Sequence, residues 1–157
     1  MYLIVHTPAS LIIGSQINQP VLAFSLSFLA HLVLDIIPHD PKLINDWQNK
    51  NPISRTAVIA TIDIILIIFF CYILYSCHKL NFSISVLFAI IGGIIPDALW
   101  VFDNLTHGKI SVIQKYHKLH HRLHTVIYKE MFISLKYAIL TQILIFIITL
   151  WVYLKII

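Results

Sequence analysis

The stretch AVIATIDIILIIFFCYILYSC, residues 57–77, decides the fold. Its 21 positions hold one charged residue, Asp63, and neither glycine nor proline. A helix of that length covers about 30 Å, the thickness of a bilayer's hydrocarbon core. Working outward, four more apolar segments can be marked at 3–17, 21–37, 82–102 and 132–154. The last two are also long enough to span, whereas 21–37 is short. The first ends at the turn signal Asn18-Gln19-Pro20 and reads as a full span, a half-span or a re-entrant segment. Of the 157 residues, 59% are hydrophobic and 11% charged, with a mean hydropathy of +0.85. A soluble domain carries about 25% charged residues. That excludes a disordered chain, a nucleic-acid module and a soluble enzyme. The chain therefore reads as one all-α integral membrane domain over 1–157, a polytopic helix bundle of four to five spans.

The net charge of +4 is read first for topology. Eight of the eleven Lys and Arg residues fall in two connections: Lys42, Lys50 and Arg55 in 38–56, and Lys109, Lys115, Lys118, Arg122 and Lys129 in 103–131. Basic loops favour the cytoplasmic side, so both are expected there. The start carries no basic region ahead of its apolar residues, and no removable signal peptide is expected. Cys71 and Cys77 lie six apart within an apolar run, a spacing that suits neither a CxxC pair nor a zinc knuckle, and read as packing residues. Trp47, Trp100 and Trp151 read as interface anchors. An internal repeat is suggested at an offset of 58: residues 24–39 and 82–97 share seven of sixteen positions, both carrying Ile-Ile-Pro, followed by His39 or Asp97. The repeat halves, about 3–39 and 57–97, would form a parallel pair of helix hairpins.

Ionisable groups inside apolar segments are costly and default to functional candidates. Under this topology His6, Asp35, His39, Asp63, Asp97, Asp103 and the histidines of 117–124 converge near one end of their segments, with His78 opposite. His31 and Asp35 form an HxxxD pair on one helix face, with His39 one turn beyond. They could grip a cation or, alternatively, hydrogen-bond as a packing pair. Gly92-Gly93 permits close helix approach ahead of Pro96-Asp97, where Asp97 could face a cavity or merely mark the membrane boundary. Asp103 and His107 could mirror the HxxxD pair, although a solvated turn explains them as well. In Lys115-Tyr116-His117-Lys118-Leu119-His120-His121-Arg122-Leu123-His124, helical spacing gives the pairs His117/His121 and His120/His124. The competing reading is an amphipathic helix resting on anionic lipid.

Taken together, His6, His31, Asp35, Gly92-Gly93 with Pro96-Asp97, and His121-Arg122-Leu123-His124-Thr125 resemble the YdjM-like family of predicted inner-membrane metal-dependent hydrolases. Two departures stand out: the family's Pro-Asp-x-Asp reads Pro96-Asp97-Ala98-Leu99, and its His-Arg-Gly-x-Thr-His-Ser is shortened. More distantly, His31-xxx-Asp35 is similar to the HxxxD motif of zinc-dependent phospholipase C and P1-type nucleases, which implies phosphoester cleavage.

The expectation is therefore a membrane hydrolase with one or two divalent ions, zinc by preference. The candidate ligands are His6, His31, Asp35, His39, Asp97, His117, His120 and His121. Asp97, Asp63 and Arg122 are the candidate catalytic groups, a free carboxylate serving as base and Arg122, with Lys118, holding an anionic group. The expected substrate is a lipid or lipid-linked phosphoester reached from the cytoplasmic face of the inner membrane, with no role for nucleic acid. Two alternatives stay open. His117-x-x-His120-His121 reads formally as an HxxHH box of a di-iron oxygenase, and the same residues would also serve a non-enzymatic metal-handling or scaffold protein.

Overall fold

The structure, a computed structural model, describes residues 1–106, 108–124, 126 and 132–157, with the side chains of 45, 49, 52, 105 and 132 left aside. His107, Thr125 and Lys129, each named in the sequence reading, lie outside the described residues. The chain runs α1 (Leu3–Gln16), α2 (Pro20–Leu34), β1 (Asp40–Pro41), α3 (Lys42–Asn49), α4 (Pro52–Ser76), α5 (Ile84–Leu105), α6 (Ser111–His124), β2 (Phe132–Ile133) and α7 (Leu135–Ile156). The two short strands pair in parallel and tie the segment after α2 to the start of α7. The fold is all-α, as its composition requires.

Three helices are long and apolar enough to cross a membrane: Ile53–Ser76, Ile84–Asn104 and Leu135–Ile156. At 14 and 15 residues, α1 and α2 reach only about 21–23 Å against a core of about 30 Å. The expected count of four to five spans turns on these two. Their local signals are plain: the Gln19 side chain accepts from Leu22 N with Pro20 opening α2, and Ser83 caps α5 by accepting from Val86 N. His78, with φ of 55°, takes the left-handed turn that ends α4 away from the site.

Polarity is inverted relative to a water-soluble protein. Large apolar side chains such as Ile65, Ile68, Phe69, Leu140, Ile147 and Trp151 face outward, while His6, Ser10, Ser27, His31, Asp35 and Asp63 are buried. Hydrocarbon outside removes the usual drive to hide apolar groups, so packing here depends on close contact and internal hydrogen bonds. α1 touches α2, α4, α5 and α7, and α2 lies along α5 in the same direction. Glycines set the closeness. A Cβ at Gly14 would sit 2.6 Å from Val86 Cα, one at Gly92 would strike the Phe24 carbonyl, and one at Gly93 the Ser10 hydroxyl. Ser27 Oγ can then donate to Ser10 Oγ at 2.7 Å, and His31 Nδ1 reaches the Gly93 carbonyl at 2.7 Å.

Because the obstacle at Gly92 is backbone, it cannot swing aside. Gly92→Val is expected to destabilise the bundle by about 1–3 kcal/mol, the usual result of overpacking, whereas Ile91→Val at an exposed neighbour is near neutral. Thermal unfolding of both variants in detergent checks this; equal melting temperatures would contradict the packing account.

Candidate metal centre

Four helices and the turn after α2 deliver imidazole and carboxylate groups to one point. Helical spacing sets His31 and Asp35 on one face of α2, and Asp35 caps that helix. Pro38 follows and the chain turns, which brings His39 and Asp40 back over Asp35. α1 contributes His6, α5 contributes Asp97, and α6 contributes His120 and His124. Ligand atoms of His31, Asp35, Asp97 and His120 all lie within 4.8 Å of one another, and those of Asp35, His39 and His124 form a second such group.

Asp35 is at the centre. Its Oδ2 lies 2.9 Å from Nε2 of both His31 and His120 and 3.6 Å from Nε2 of His124. Its Oδ1 lies 3.3 Å from Nε2 of His6 and 3.6 Å from Nε2 of His39. Five imidazoles thus crowd one carboxylate that offers about four lone-pair sites. Hydrogen bonding does not account for them all: both ring nitrogens of His6 and Nε2 of His31 are buried without a partner of adequate alignment. Buried orphans of this kind call for an explanation. A tetrahedral ion with bonds of about 2.0–2.1 Å sets its ligand atoms about 3.3 Å apart, and the imidazole nitrogens here lie 2.9–3.6 Å from the Asp35 oxygens.

The supporting shell has the same character. His31 Nδ1 is held by the Gly93 carbonyl at 2.7 Å and His39 Nδ1 by the Ile37 carbonyl at 2.6 Å, so each ring donates from Nδ1 and turns Nε2 inward. Gln142 of α7 fixes the His39 backbone through a 3.1 Å bond from Nε2 to its carbonyl. His6 stacks on His31 with ring centroids 3.8 Å apart. A cation already sits against the cluster, the Met1 ammonium, 3.2 Å from Asp35 Oδ1 and 2.5 Å from His39 Nε2.

Charge states outside the helices suit metal ligation. Burial pushes the His39 imidazole down to about 4, reinforced by the Met1 ammonium against the pull of Asp40 and Asp35. It is neutral at pH 7. Burial pushes Asp40 up, but a hydrogen bond from His124, the Met1 ammonium and His39 outweigh it and hold its carboxyl at about 2. It is ionised at pH 7. Neutral imidazole and ionised carboxylate are the ligating forms.

Of the expected ligands, His6, His31, Asp35, His39, Asp97 and His120 meet in the cluster. His117 and His121 do not join it. His117 Nδ1 pairs with Asp103 Oδ2 at 2.5 Å beneath the edge of Trp100, and His121 is exposed one residue further round α6. The HxxHH box is thereby split, with only His120 of its three histidines inside. Asp63 also lies apart: its Oδ2 accepts the Leu3 amide at 3.1 Å and so caps α1. Arg122 lies on the exposed part of α6. Two groups join that the sequence reading did not make ligands, His124 and Asp40, whose side chains meet at 3.3 Å. The i,i+4 spacing from His120 marked the first, and adjacency to His39 could have marked the second.

A cavity of about 380 Å³ opens beside the cluster, walled by α3, α4, α5 and α6, with Asp40, Asp97, His117, His120 and His124 on its polar side. No protein-family model, curated protein or solved structure matches the chain.

Purified parent protein dialysed against zinc is expected to retain at least one equivalent. Asp35→Asn keeps the shape but loses the anionic oxygen, and should lower metal affinity by more than the ~10–100-fold typical of losing an outer-shell partner. His121→Gln should retain the parent's metal. Elemental analysis of monodisperse fractions reads all three. Unchanged metal in Asp35→Asn, with only a loss of about 1–3 kcal/mol in stability, would identify a packing pair instead.

Proposed function

We propose that this chain is a metal-dependent hydrolase of phosphoesters at the cytoplasmic face of the inner membrane. The observation that carries the reading is the convergence of His31, Asp35 and His120, all buried, with the partly exposed Asp97, from three helices, beside a cavity large enough for a substrate. α1 and α2 enter the bilayer with α4, α5 and α7, giving four spans and a partial fifth. α3 and α6 wall the cavity from one end and lie in the two connections, 38–56 and 103–131, that hold eight of the eleven Lys and Arg residues, which supports a cytoplasmic site. The donor set of imidazoles and carboxylates without thiolate suits zinc, and Asp35, with ligand groups at both oxygens, suits either one ion or two.

When bound, a divalent ion supplies Lewis acidity that stabilises charge on the phosphoryl oxygens and lowers the pKa of water. The protein's groups do the rest. His31, Asp35, Asp97 and His120 hold the ion, with His39 and His124 completing the second group around Asp35. Asp97 and Asp40 are about a quarter exposed on the cavity side and are the carboxylates available to take a proton from attacking water. His117 lines the same cavity with Nδ1 held by Asp103, the arrangement of an oriented acid that returns a proton to the leaving oxygen. That role differs from the ligand role expected of it.

The test pairs leaving groups. Zinc-loaded protein should hydrolyse phosphodiesters, and a chelator should abolish the activity. His117→Ala should keep its metal yet lose about 10²–10⁴-fold on an alkyl leaving group, with little loss on 4-nitrophenolate, which departs without a proton. Metal-loaded protein inert on every phosphoester would overturn the reading; loss of metal in His117→Ala would return that residue to the ligands.

A further inference from the structure

The cavity continues away from the cluster as an apolar cleft. α4 and α5 stand apart along it, one wall formed by Ile59, Ala60 and Ile64, the other by Ile94, Ala98 and Val101. All six belong to segments able to span a membrane. Ile64 lies eleven residues into the span that begins at Ile53, about 16 Å along the axis and well inside the hydrocarbon region. It is 46% exposed, so the cleft wall continues onto the lipid-facing surface. At the other end the cleft meets the buried His120 together with Asp97 and His124, which are partly exposed.

From this arrangement we infer that the cleft between α4 and α5 seats the hydrocarbon chain of a bilayer lipid whose anionic phosphoester head lies against the His/Asp cluster. The inference rests on the phosphoester reading above and names the class of substrate. Complementarity argues for it at both ends. Imidazoles and a divalent ion receive an anion, while the walls toward the bilayer offer aliphatic side chains and no charge beyond Asp63, already bonded to α1. A chain entering sideways between two spans leaves lipid only for apolar protein, so the head reaches the cluster without the chain crossing water. A water-soluble phosphoester has no use for a cleft that opens into hydrocarbon.

Binding of decyl phosphate and of inorganic phosphate to zinc-loaded protein in maltoside detergent, measured by calorimetry, tests the inference without turnover. Each buried methylene adds about fourfold in affinity, so decyl phosphate should bind at least about tenfold more tightly than phosphate. In Ala60→Trp and in Ile64→Trp, which fill the cleft from α4 away from the cluster, that ratio should fall toward one while metal content is retained. Two variants are used so that a failure of one to remain monodisperse leaves the other to report. A ratio equal in parent and variants means the chain only partitions into detergent or binds elsewhere, and overturns the inference while leaving the hydrolase reading intact. Zinc-loaded parent that binds no phosphate at all overturns the hydrolase reading, and this inference with it.

Discussion

A carboxylate cannot be left ionised in a membrane protein's interior without compensation, and Asp35 is 1% exposed. The upper part of the bundle is organised around that requirement. Five imidazoles from α1, α2, α6 and the turn after α2 are directed at its two oxygens. Replacing them by apolar groups would leave the carboxylate with the Met1 ammonium as its partner on Oδ1 and nothing on Oδ2 among the described residues; protonating them all would bring five further positive charges together. A shared divalent ion meets both constraints, because neutral imidazoles then donate lone pairs to the same centre that neutralises the carboxylate.

The short helices follow from this arrangement. α2 ends at Asp35 rather than continuing, since the chain must fold back to bring His39 and Asp40 over the cluster. Gly92 and Gly93 let α5 approach α2 closely enough for the Gly93 carbonyl to orient His31, and the same approach sets Asp97 Oδ1 3.4 Å from His31 Nε2. α6 closes the site from the loop side, with His120 inward and His121 outward. One residue of rotation thus separates a histidine of the cluster from a surface group. Where helix contacts are close the interior is sealed, and where α4 and α5 stand apart a cavity opens beside the cluster.

The class of fold was legible because an apolar run of 21 residues with one charge has few other uses. So was the convergence itself: ionisable groups are expensive in hydrocarbon, and His6, His31, Asp35, His39 and Asp97 were expected near one end of their segments, while a His31–Asp35 packing pair and a boundary role for Asp97 stayed open. Within α6 the sequence was ambiguous. His117, His120, His121 and His124 satisfy two i,i+4 pairings at once, and only the docking angle of the helix decides which pair faces inward. Asp103 and Asp63 show the opposite limit. Each carries the mark of a functional carboxylate, yet one is taken by His117 and the other by the Leu3 amide, partners 14 and 60 residues away that no local pattern reveals. Asp40 escaped attention because it sits in a polar connection, where an acidic residue costs nothing.

The central claim is that the cluster around Asp35 holds a metal through imidazole and carboxylate. X-ray absorption at the zinc edge of the reconstituted protein tests it most directly. The account predicts a first shell of nitrogen and oxygen at about 2.0–2.1 Å, with the outer-shell scattering of several imidazoles and no sulfur. A sulfur shell at about 2.3 Å, which would implicate Cys71 or Cys77, or an ion surrounded by water alone, would contradict it.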